Sequence, residues 1–120
     1  MALTYPFTML ENHGLRSWPL RRFTVVEDSM LPTLRPGDGL LAVRGGRVRM
    51  GQLRVFPDPT WPSRWLIKRV GEVRGSGRAA TFEACSDNPR APGVVDSRRF
   101  GWVPVAGSYR VVWTVRGPHN

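Results

Sequence analysis

Thirteen glycines and eleven prolines are spread along the 120 residues and cut the chain into short runs. Proline removes a backbone donor and ends a helix, and glycine weakens one, so packed helices have nowhere to form. The runs between these breaks are rich in Val, Leu, Phe and Trp, which suit a pleated, half-buried surface. Strands are predicted at Phe23–Glu27, Gly39–Arg44, Gln52–Phe56, Trp65–Val73, Ala80–Ala84 and Tyr109–Arg116. Between them lie RPGD, RGGR, FPDPTWPSR, RGSGR and a long final connection, SDNPRAPGVVDSRRFGWVPVAG. A short helical turn is predicted only at Ser29–Leu34, with Pro32 near its start. The expected fold is a small, mostly antiparallel all-β domain of barrel or sandwich type over residues 21–117. An irregular arm, residues 1–20, precedes it, and a tail, residues 118–120, follows.

An apolar content of 41% with 10% aromatics suits a folded chain of modest core. One cysteine, Cys85, excludes an internal disulfide and offers no metal cluster, and no cofactor is implied. No run reaches the roughly 18–20 apolar residues of a membrane span. The first twenty residues lack a basic segment followed by a continuous apolar one, so a cytoplasmic location is expected. The net charge of +9 raises nucleic acid as a partner. The basic residues are scattered, however, with small knots at Arg21–Arg22 and Arg98–Arg99 and no recognition-helix pattern, so specific nucleic-acid binding is not expected. Such a field also suits an acidic protein partner or a peripheral contact with an anionic membrane. Trp61 and Trp65 flank Pro62 and are expected to pack into the core.

The positive charge is written almost entirely in arginine: of eighteen Lys plus Arg residues only Lys68 is lysine. Arginine stays protonated, whereas a desolvated lysine can lose its proton and act as a base. Lys68 lies in Leu66-Ile67-Lys68-Arg69-Val70, where alternation sets Leu66, Lys68 and Val70 on one face. If that face is buried, Lys68 is placed for general-base work; the competing role is an edge lysine reaching out to water.

The segment Ser29-Met30-Leu31-Pro32-Thr33-Leu34-Arg35-Pro36-Gly37-Asp38 follows a predicted strand. A serine at such a strand end can project its hydroxyl, and its own N–H, into one cleft, which is the arrangement an acyl-transfer nucleophile requires; the competing role is that of an ordinary turn serine. Met30 and Leu34 are expected to tuck inward. His13 and His119 fall in the predicted arm and tail, away from any rigid element, so a Ser-His triad is not expected.

SMLPTLRPGD, then IKRV, then SDN and DSRRFG, in that order, resemble signal peptidase I and its small soluble relatives from about Val25 to Trp113. The short length and compact final box look most like the nickel-type superoxide dismutase maturation proteases. The resemblance implies a β domain of the signal peptidase and LexA-like type, with Ser29 as nucleophile and oxyanion donor and Lys68 as general base. Asp96 and Arg98 match the family's supporting ion pair, and Asp87 and Asn88 its DN turn. Met30, Pro32 and Leu66 fall beside the implied substrate cleft. The implied partner is a protein precursor with small residues at P1 and P3, bound as an extended strand. Two positions depart from the family pattern. Glu27 stands where a hydroxyl residue often adds an oxyanion donor, and Val94 where a serine often hydrogen-bonds the lysine. Self-cleavage in the LexA manner and a catalytically idle basic binding module are the alternatives.

Overall fold

A computed structural model describes residues 2–4, 19–88 and 100–118 of the chain. Eight strands follow in order: β1 Ala2–Thr4, β2 Leu20–Val25, β3 Gly39–Arg44, β4 Leu53–Asp58, β5 Trp61–Arg74, β6 Thr81–Cys85, β7 Val103–Pro104 and β8 Tyr109–Val115. A 3-10 turn, Gly77–Ala79, joins β5 to β6. All pairings among the described residues are antiparallel, in line with the expected all-β class. From β2 onward the strands form one sheet ordered β2-β3-β8-β4-β5-β6-β7, which does not close on itself. β1 pairs with both β2 and β5.

Each predicted run corresponds to a strand, with shifted ends. β3 has the predicted bounds. β2 begins earlier and stops at Val25, because its ladder with β3 starts at Leu20 opposite Val43 and the chain then turns. That turn is closed by Val25 N donating to Asp38 O (2.9 Å) and Gly37 N to Val25 O (2.8 Å). Gly37, at φ +97°, adopts a conformation that an L side chain resists. β5 is longer than expected because FPDPTWPSR forms a hairpin rather than a loop. Asp58 Oδ1 accepts from Thr60 N (2.8 Å) and Thr60 Oγ1 (2.7 Å), shaping the turn. Pro57 sits at a register shift, where a missing N–H is tolerated. Residues 29–34 form the expected short turn, with Leu31 N bonded to Asp28 O and Leu34 N to Met30 O, one i to i−4 bond that is not continued into a helix. Pro32 has no N–H with which to extend a helical ladder.

Two apolar clusters hold the sheet. Phe23, Val25, Met30, Leu34, Val55 and Ile67 belong to one, and Phe56, Leu66, Val70, Phe82 and Val103 to the other. β4 and β5 contribute to both because alternate residues face opposite ways: Val55 and Ile67 one side, Phe56 and Leu66 the other. Trp65 is half-buried between Phe23 and Tyr109, with the Arg21 guanidinium 5.0 Å from its ring centre. Trp61 departs from the expected core role. It is 61% exposed, since it opens β5 at the hairpin tip, beyond the reach of either cluster.

Arg54 is fully buried in β4 and ties connections together. It donates to Ser108 Oγ (2.8 Å) and to the carbonyls of Gly45 and Gly46 (both 3.1 Å). Burial, and then the neighbouring Arg110, hold its guanidinium below the ordinary arginine value. Arg54→Met is expected to lower stability by about 1–3 kcal/mol, because it strands the buried Ser108 hydroxyl and the half-buried Gly45 carbonyl. Urea unfolding of the two chains measures this.

Candidate active site

β5 places the site's central residue. Leu66 and Val70 are buried in the second cluster, and Lys68, between them on the same face, has no exposed surface. The opposite face is also closed at Ile67, whereas Arg69 is half-exposed. Lys68 is therefore an interior amine and not an edge lysine.

Its Nζ donates to Ser29 Oγ at 3.2 Å and to Ser86 Oγ at 2.8 Å. Ser29 is itself 3% exposed. A buried, ordered amine and hydroxyl thus meet across 39 residues of sequence.

Ser86 was not singled out from the sequence, which directed attention to Val94 as the lysine's orienting position. The sheet register supplies the residue. Arg69 lies opposite Cys85, so continuing the antiparallel ladder one step carries Ser86 opposite Lys68. The readable signal was a hydroxyl immediately after the alternating run Ala80–Ala84 and its Cys85, next to the Asp-Asn pair. Val94, Asp96 and Arg98 lie outside the described residues.

Asp87 and Asn88 do more than turn the chain. Asp87 Oδ1 accepts from Arg69 Nε (2.9 Å) and Oδ2 from Arg69 Nη2 (2.8 Å), a bidentate pair. The same Oδ2 accepts from Thr33 Oγ1 at 2.6 Å. One carboxylate therefore joins the turn that carries Ser29 to the lysine strand. Asn88 closes the other side: its backbone N donates to Ser29 O (2.7 Å), and its Nδ2 donates to Asp28 O (3.0 Å). Asp87 N also approaches Met30 Sδ at 3.4 Å. The SDN segment grips the backbone on both sides of Ser29 and presents Ser86 to the lysine.

The remaining candidates fall as follows. Of the three residues expected at a substrate cleft, Met30 and Leu66 are fully buried, one in each core cluster, and Pro32 is exposed on the turn after Ser29. Glu27 is an exposed carboxylate with an ion pair to Arg64 at 3.7 Å. Cys85 is half-buried beside Ser86. Among the described residues no group of three or more His, Cys, Asp or Glu residues is arranged to hold a metal, and no helix is long and apolar enough to cross a membrane. No protein-family model, curated protein or solved structure matches the chain.

Burial pushes the Asp87 carboxyl upward, but the hydrogen bonds from Arg69 and Thr33 and the charge of Arg69 outweigh it, leaving it below its ordinary value. The Arg69 guanidinium is raised, first by its hydrogen bond to Asp87. A depressed carboxyl adds stability that is complete above about pH 4, the unfolded range, and is lost as pH falls through the folded value. Asp87→Asn is expected to cost about 1–3 kcal/mol at pH 7, the usual worth of charged hydrogen bonds. Acidification from pH 7 to pH 3 should then destabilise the variant less than the parent, as read by urea unfolding at both values.

Proposed function

We propose that the chain is a serine endopeptidase in which Ser29 is the nucleophile and Lys68 the general base. The observation behind this reading is the 3.2 Å contact between Lys68 Nζ and Ser29 Oγ, with both residues withdrawn from water. Removing an amine from solvent disfavours its charged form, and a neutral amine can accept the serine proton across that same contact. The resemblance of SMLPTLRPGD, IKRV and SDN to the boxes of signal peptidase I points to the same chemistry.

In the first step Ser29 Oγ forms a bond to the scissile carbonyl carbon while its proton passes to Lys68 Nζ. The Ser29 backbone N–H serves the developing oxyanion. Collapse of the tetrahedral species breaks the C–N bond, and the leaving amine takes the proton from Lys68. Water then attacks the acyl-serine ester, giving its proton to Lys68, and Ser29 is regenerated with release of the carboxylic acid. Ser86, at 2.8 Å from Nζ, acts as a positioning residue that aims the amine. Glu27 adds no second oxyanion donor, since an ionised carboxylate only accepts.

The substrate class follows from the resemblance: a protein precursor with small P1 and P3 residues, for which a superoxide dismutase precursor that later binds nickel is the specific candidate. The net charge of +9 would favour approach of acidic polypeptides.

A serine-reactive phosphonate tests the dyad across pH. Wild-type labelling is expected to rise as a basic group deprotonates. Ser29→Ala should abolish it, and Lys68→Arg should lower its rate by about 10²–10⁴-fold, the usual contribution of a general base. A folded wild type that never labels would overturn the reading. Ser86→Ala is expected to slow labelling about tenfold and displace its pH profile, with Ser86→Thr restoring part of the rate. An unchanged pH profile would remove Ser86 from the site.

A further inference from the structure

β2 and β5 run in the same direction, since β1 is antiparallel to both. Both lead to the dyad: Val25 ends β2 four residues before Ser29, and Leu66 lies two residues before Lys68. β2 gives one edge to β3. β5 gives one edge to β4, and β6 takes the other only from Arg69 onward. The two remaining edges face each other across a slot one strand wide. β1 fills it, with Leu3 opposite both Val25 and Trp65, Thr4 opposite Thr24 and Ala2 opposite Leu66.

An extended incoming strand is what the resemblance implies; we propose that β1, seated between Thr24–Val25 and Trp65–Leu66, is a displaceable plug that must leave before such a strand can enter. Naming the incoming strand a substrate rests on the dyad reading; the slot and its plug do not.

Three features support this. An unpaired strand edge is a template for another strand, and each row of N–H and C=O groups can pair with one strand at a time. β1 and an incoming strand are therefore mutually exclusive. Next, β1 is held lightly: it has three residues and two registered pairs on each side, against five for β2 with β3. Strands this short have little stability of their own. Finally, β1 runs with its Ala2 end towards the dyad. A polypeptide whose N-terminal side lies in the slot, and whose carbonyl is delivered to Ser29, runs the opposite way, parallel to β2 and β5. β1 thus blocks the slot while presenting the reverse chain direction to the nucleophile.

The test is strand binding in a Ser29→Ala background, which separates occupancy from chemistry. The probe is a fluorescein-labelled octapeptide ending in Ala-Ser-Ala, followed by anisotropy. Removing residues 1–4 is expected to tighten its Kd at least tenfold. Excess unlabelled Met-Ala-Leu-Thr-Tyr-Pro, residues 1–6 of this chain, should reverse the gain. A second variant keeps the whole chain: Thr4→Cys with Thr24→Cys, in a Cys85→Ser background, locks β1 on oxidation. Binding is expected to be lost when oxidised and regained with dithiothreitol, and this lock decides the matter if the shortened chain loses its far-UV spectrum. Equal Kd for full and shortened folded chains, or a lock without effect, overturns the proposal. Phosphonate labelling of Ser29 in the wild type reports on the dyad separately, because a small probe needs no strand slot. Tenfold tighter peptide binding without any labelling would uphold the slot and sink the peptidase reading.

Discussion

An amine without exposed surface, held between two serine hydroxyls, is the constraint around which the central sheet is arranged. Burying such a group costs several kcal/mol unless it is hydrogen-bonded or neutral. β5 withdraws Lys68 from water between Leu66 and Val70, and the hydroxyls of Ser29 and of Ser86, just after β6, offset that cost. Neither serine is near the lysine in sequence. Only the sheet register and the fold of the turn bring the three together.

The outward neighbour of that lysine secures the geometry. Arg69 faces away from Lys68 by strand alternation, and its guanidinium holds Asp87, which in turn holds Thr33. The division of labour follows from the chemistry of the two cations. Arginine keeps its charge and forks onto a carboxylate, so Arg69 serves as the clamp, whereas Lys68 meets hydroxyl oxygens at its amine and can exist there uncharged. In a chain that uses arginine at every other basic position, this contrast between residues 68 and 69 gives the lone lysine its meaning.

The sheet also has an open seam where the site needs access. From β2 onward the strands leave two edges facing each other beside the dyad, and β1 bridges them. A closed barrel would bury these edges, whereas an open sheet would leave them to aggregate. A short, loosely paired strand is an intermediate solution. It covers the edges with only two registered pairs on each side.

Much of the fold was legible in the residues. Glycine and proline breaks and period-2 alternation located six strands, because local sterics decide those features. Local neighbours gave the lysine its strand and the serine its turn, but the two read as a pair only through the resemblance of SMLPTLRPGD and IKRV to the boxes of signal peptidase I. β1 and β7 were not legible, since strands of three and two residues have no periodicity and exist only through their partners. Asp87 read as a turn residue, since its sequence neighbours do not reveal that Arg69 and Thr33 converge on it. Ser86 was passed over because its role depends on a cross-strand register. The sequence by itself determined the all-β class, the strand positions and the chemical kind of the two central side chains. Tertiary structure alone decided which oxygens meet Lys68, which carboxylate binds the site together and which strand lies in the slot. Such contacts are set by pairing between distant segments, and local preference carries no information about the partner.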